Sequence, residues 1–119
     1  MKNIITILLF PIIVLSQEVL IKQLPENINT NNAELNFIQT NDSTAYFTVV
    51  TETNGKLESN IYTAIFMNGD WGKKKYTKYN SDLFNTANIS FLKGERAFFT
   101  TCNNEMLDCK IVYLEQNTK

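Results

Sequence analysis

Apolar residues in this chain recur mostly at alternate positions, in short runs separated by turn residues. Thr44–Thr51 is the strongest run: Ala45, Phe47 and Val49 fall on one face and Tyr46, Thr48 and Val50 on the other. Period-two patterning in β-branched and aromatic residues predicts a strand, and apolar surface on both faces predicts cover on both sides. Six further strands follow the same reading, at Val19–Leu24, Glu34–Ile38, Asn60–Phe66, Ile89–Leu92, Arg96–Thr101 and Cys109–Leu114. Trp71–Tyr76, rich in lysine, reads as an outer strand, since lysine discourages edge-to-edge pairing. Pro25 ends the first run because it lacks a ladder donor. Turns are expected at Gln39–Ser43, Thr53–Lys56 and Lys93–Glu95, and Asn68-Gly69 is the best hairpin signal because both residues tolerate positive φ. Glu26–Asn32 and Thr77–Phe84 read as polar connectors. No window beyond the amino-terminal segment carries a clean helical stripe.

The pattern repeats. A shift of about 52 positions lays Leu35-Asn36-Phe37 on Ala87-Asn88-Ile89 and Ala45-Tyr46-Phe47-Thr48 on Ala97-Phe98-Phe99-Thr100. The same shift lays Val19–Leu24 on Trp71–Tyr76. A two-residue difference in a loop then brings Ile61-Tyr62 over Ile111-Val112. Each unit has four short strands, the content of one propeller blade.

The 119 residues allow one small domain, and a net charge of −1 leaves no basic field for nucleic acid. Residues 1–17 read as a signal peptide: Lys2 is the positive region, Ile4–Leu15 the apolar one, and Val14-Leu15-Ser16 precedes cleavage. A retained anchor is the alternative. After cleavage no transmembrane span is expected. Export makes the only two cysteines, Cys102 and Cys109, a disulfide pair, with two reduced thiols as the alternative.

Chemistry is sparse. The chain has no histidine, so nucleophile–histidine catalysis is absent and a zinc site on the cysteines lacks two ligands. Phosphate-binding glycine motifs are missing. Asp70, Asp82, Glu105 and Asp108 are scattered at turns, and Lys73-Lys74-Lys75 fits a protected edge better than a glycan contact. No catalytic, cofactor-binding or metal residue is assigned. Met106 and Leu107 in the cysteine loop, together with Trp71, are the candidate partner contacts.

The run Ala-Phe-Phe-Thr, the loop and strand after it, and Asn68-Gly69-Asp70-Trp71 resemble the TolB-type, WD-repeat-like β-propeller repeat of bacterial envelope proteins. The aromatic run occurs twice, as Tyr46-Phe47-Thr48 and Phe98-Phe99-Thr100. Asn60-Ile61-Tyr62 and Lys110-Ile111-Val112 stand where the family has Asp-Ile-Tyr. Of the family's Ser-Pro-Asp-Gly-Lys turn, only Gly94 remains. The resemblance implies an all-β incomplete β-propeller of two four-stranded antiparallel units, about 33–76 and 85–114, with 19–24 as a stray outer strand. It further implies a non-catalytic, periplasmic or outer-membrane-associated scaffold or binding module, with a protein or peptidoglycan-associated partner. A fragment of an envelope hydrolase and a self-sufficient secreted β-sandwich binding domain are the alternatives. Two units fall short of a closed ring, so the strand Cys109–Leu114 is expected to present an open edge through which chains self-associate.

Overall fold

The computed structural model describes residues 20–92 and 96–115. The expected leader and the Lys93–Glu95 turn lie outside the described residues. Among the described residues the chain is all-β. Its strands are β1 (Ala33–Asn41), β2 (Thr44–Thr53), β3 (Lys56–Met67), β4 (Asp70–Trp71), β5 (Lys75–Tyr76), β6 (Asn85–Leu92), β7 (Arg96–Cys102) and β8 (Cys109–Glu115). They form two antiparallel sheets, one ordered β1-β2-β3-β4 with β5 also on β3, the other ordered β6-β7-β8. Among the described residues the sheets stack on each other and close no ring.

Turn chemistry sets the registers. Asn54 and Gly55 have φ of 54° and 75° between the paired Thr53 and Lys56. Asn68 and Gly69 have φ of 54° and 85° between Met67 and Asp70. Two successive positive φ values make the hairpin turn whose twist matches the strands it joins.

Strand β2 is covered on both faces, as its pattern predicts. Ala45, Phe47 and Val49 are buried on one face and Thr48 on the other. The first face is closed by Ile28, Ala64 and Trp71, with Leu24, Phe37 and Tyr62 packed around them. The cover on this side is therefore a coil, which corrects the expected strand at 19–24. Residues 20–24 form no strand, and Leu20 and Ile21 are exposed. Pro25 supplies no N–H, and its carbonyl instead accepts the N–H groups of Ile28 and Asn29 at 2.9 Å, turning Leu24 and Ile28 onto the sheet. The Asn27 side chain donates to the Trp71 carbonyl at 2.9 Å and ties this cap to β4.

The outer strand expected at Trp71–Tyr76 is also corrected: it is two short strands, β4 and β5. Two anchors draw the chain inward across this break. Trp71 buries its ring against Phe37 and Phe66, and Lys74 reaches Glu34 on β1 at 3.2 Å.

The second sheet covers the other face of the first: Ile89, Ala97 and Phe99 pack with Ile61 of β3 and Tyr79 of the connector, with Tyr46, Phe91 and Val112 at the margin. Strand β6 crosses the first sheet from β3 to β1. Asn85 Oδ1 accepts the Ser59 N–H at 2.7 Å, the Asn88 N–H donates to Thr48 Oγ1 at 2.9 Å, and Asn36 Nδ2 donates to the Ile89 carbonyl at 3.3 Å.

The two sheets share an irregularity at corresponding places, and the first has a second one between Gln39 and Asn41. The β1–β2 register shifts between Leu35 and Ile38, and the β6–β7 register between Ala87 and Ser90. Asn36 (φ 53°) and Asn88 (φ 55°) stand at these shifts. Asparagine is among the few non-glycine residues that adopt this conformation readily, and an extra residue there bends the strand. Beyond the shift, Ile38 faces Tyr46 and Ser90 faces Phe98. Phe47 faces Tyr62 on β3, and Phe99 faces Val112 on β8.

Candidate protein-interaction site

The two sheets differ in how their last strand ends. The outer edge of β3 is occupied from Ser59 to Ile65. The Ile65 carbonyl accepts the Gly72 N–H at 2.8 Å, and Thr63 pairs with Lys75 on β5. Farther along, asparagine side chains replace a strand. Asn80 Oδ1 accepts the Ile61 N–H at 2.7 Å while its Nδ2 donates to the Ile61 carbonyl at 2.7 Å, so one side-chain amide mimics a neighbouring peptide. Asn85 Oδ1 likewise accepts the Ser59 N–H, while its Nδ2 donates to the Asn103 carbonyl. Thr86 donates its hydroxyl to Asn80 Oδ1, and Thr77 donates to the Ile61 carbonyl. Among the described residues every buried side-chain nitrogen and oxygen has a partner.

Strand β8 occupies the β3 position of its own sheet, and among the described residues no strand pairs with its outer edge. Its register matches that of β3, Thr100 facing Ile111 as Thr48 faces Ile61. The main-chain groups of Cys109, Ile111 and Tyr113 correspond to those of Ser59, Ile61 and Thr63. Side-chain exposure differs sharply: Ile61 is fully buried, whereas Ile111 is 79% exposed and Tyr113 59% exposed. Leu92, paired with Arg96, is exposed on the same face, and Leu114 is exposed on the opposite face of the strand. Arg96 lies over the Tyr113 ring and pairs with Glu115 at 3.0 Å, a charged rim on this apolar surface.

Cys102 and Cys109 are disulfide-bonded, with S–S 2.12 Å and Cα–Cα 4.1 Å, and face each other in the β7–β8 ladder. The loop they close is organised by Asn103, whose Oδ1 accepts the N–H groups of Leu107 and Asp108. Within it Leu107 is 81% exposed and Met106 is half-buried, so only Leu107 stands fully clear. Trp71 is turned inward. Its ring is buried in the first core, and it packs edge-on against Phe37 with ring centres 5.3 Å apart.

A polar cleft of about 310 Å³ opens beside β3, walled by Tyr76, Phe84, Glu58 and Asp82 among others. Burial, then the Asp82 carboxylate, raise the Tyr76 phenol above its ordinary value, and the phenol donates to Asn60 Oδ1 at 3.1 Å. Among the described residues no group of three or more acidic or cysteine side chains is placed to hold a metal ion. No described helix is long and apolar enough to cross a membrane.

Sequence reasoning missed Asn80, Asn85, Thr77 and Thr86. They sit in or beside a stretch read as a connector; of its apolar residues Tyr79 is buried while Leu83 and Phe84 are exposed, so the apolar content alone did not mark which part packs inward. Comparison with protein-family models, with curated proteins and with solved structures finds no match for this chain.

Proposed function

We propose that this chain is a non-catalytic exported binding module of the bacterial cell envelope, a partial propeller-type array that engages another protein through the open edge of β8. The observation that carries the reading is the contrast between β3, whose edge is closed by β5, Asn80 and Asn85, and β8, whose corresponding edge has no strand beside it among the described residues. Strand addition suits such an edge: main-chain hydrogen bonds give affinity and alternate side chains give selectivity. The disulfide supports an oxidising compartment, and the TolB-type resemblance supports the envelope.

A second reading, a self-sufficient β-sandwich binding domain, draws on the face-to-face stacking of the sheets and on the coil cap at Leu24–Ile28.

The test uses Ile111→Pro. Position 111 corresponds to 61, whose N–H points away from the neighbouring strand, so proline there removes an outward donor and leaves the β7–β8 ladder in place. The mature chain should associate with rising concentration in sedimentation, and a photo-crosslinker at Cys109-adjacent Lys110 should capture protein in the exporting cell. Ile111→Pro should abolish both while melting cooperatively. A wild-type chain that stays a dispersed monomer at tens of micromolar and captures nothing would refute the edge reading and favour the sandwich domain.

A further inference from the structure

We infer that the outer face of the second sheet is a docking surface for a further antiparallel sheet of the same repeat type, stacked on it as the second sheet stacks on the first. The inference rests on the reading of the chain as a binding module, but it puts the contact on the face and not on the edge.

The repeat identifies the face. On the first sheet, the side that receives β6 is built from Tyr46, Thr48 and Ile61, registered by the Asn36 amide. The corresponding residues of the second sheet are Phe98, Thr100, Ile111 and Asn88, all on its outer side. The apolar members are comparable: Tyr46 packs on Phe91 with ring centres 4.7 Å apart, while Phe98 has Tyr113 beside it at 5.9 Å. Thr48 Oγ1 accepts the Asn88 N–H, and the Asn36 side chain donates to the Ile89 carbonyl. Thr100 and the exposed Asn88 place the same acceptor and the same donor on the outer face. What differs is the cover: Ile61 is fully buried and Ile111 is 79% exposed.

The occupant follows from what the face must meet. Under β6 and β7 the first sheet meets Ile89, Ala97 and Phe99, two apolar side chains around a small one, plus a bulged main chain that offers an N–H and a carbonyl. The described residues form two surfaces of that kind, and both are in use. One is the inner face of the second sheet. The other is the Phe37, Ala45 and Phe47 face of the first, capped by Leu24, Ile28 and Trp71. A second copy therefore has none to offer without unpacking, and the partner is a separate sheet of this type. The array has one capped end and one open end, the arrangement of a stacked repeat whose terminal face needs a neighbour.

The experiment compares the full chain with the full chain extended by a tandem copy of residues 77–115, using nitration of tyrosine followed by peptide mapping. Tyr113 on the outer face should be modified freely in the natural chain and about fivefold or more slowly in the extended one, because a covered ring is reached only by local opening. Tyr76, which is 53% exposed and on the first sheet, should react equally in both. Within the extended chain, Thr100→Val and Asn88→Gly, which remove the hydroxyl and the amide while retaining shape and positive φ, should restore Tyr113 reactivity. Unchanged Tyr113 reactivity in the extended chain, or an added unit that stays unfolded, would overturn the inference. So would a natural chain already slow at Tyr113 and dimeric in sedimentation, since a second copy would then occupy the face. Ile111→Pro removes the outward edge donor and exchanges one apolar side chain of the face for another, leaving Phe98, Thr100 and Asn88 in place. Loss of association with Tyr113 still shielded in the extended chain places contact on both edge and face, whereas association unaffected by the proline defeats the edge reading alone.

Discussion

Asn80 offers the sharpest test of how the first sheet is finished. Its side chain holds both main-chain groups of Ile61, a fully buried residue in the centre of the molecule. Asn80→Ala strands the Ile61 N–H away from water and takes away the acceptor of the Thr86 hydroxyl. The Ile61 carbonyl keeps one donor, Thr77. An orphaned buried donor costs roughly 1–3 kcal/mol and an ordinary lost hydrogen bond about 1, so the loss should be about 2–4 kcal/mol. For a domain of this size that lowers the melting temperature by roughly 8–15 °C. Asn80→Asp is more telling, because a carboxylate still accepts the Ile61 N–H but sets negative charge against the Ile61 carbonyl. It should be at least as destabilising at neutral pH and should recover partly as the carboxyl protonates in acid. Thermal and urea melts of both variants, against Asn104→Ala in the exposed loop, give the measurement. A loss at Asn80→Ala below about 1 kcal/mol, no greater than at Asn104, would show that the edge of β3 is satisfied by water and that the asparagine closure is wrong.

Other outcomes follow from the same contacts. Phe47→Ala and Phe99→Ala should each cost about 3–5 kcal/mol in denaturant melts, the former nearer the upper end because Phe47 is the more buried; no loss at either would mean the registers are misread. Cys102→Ser with Cys109→Ser should lower stability by about 2–3 kcal/mol, the loop-closure entropy of so short a ring, and a cooperative melt should survive. For Glu34, burial pulls the carboxyl upward, but hydrogen bonds from Thr30 and Lys74 outweigh it and hold the group below its ordinary value. A depressed carboxyl stabilises the fold above its unfolded pKa, and that contribution fades as pH falls through the folded one. Glu34→Gln should therefore flatten the acid side of the stability curve below about pH 4.5 and change little at pH 7 in the slope; an unchanged acid limb would remove Glu34 from the account.

Much of the architecture is local and could be read along the chain. Alternation at Ala45–Val49 determined a strand buried on both sides, because successive side chains must leave a strand on opposite faces. Asn54-Gly55 and Asn68-Gly69 determined tight hairpins, because few residues accept two positive φ values in succession. The spacing of Phe47 and Phe99 and of Asn36 and Asn88 determined that the two sheets share one pattern, to which the structure adds the bulge at each asparagine.

The tertiary structure decided what covers each face, and periodicity carries no information on that. Leu24 and Ile28 read as part of a strand and a connector, yet they pack side by side as a cap, because Pro25 forms a turn in place of a ladder. Trp71 could have faced a partner; a pocket between Phe37 and Phe66 drew it in. Asn80 looked like any polar loop residue, and only the distance from its amide to Ile61 distinguishes it. Ile61 and Ile111 occupy the same place in the same pattern. One is sealed and the other open because burial depends on which surface arrives from elsewhere, a long-range fact that no alternation of side chains encodes.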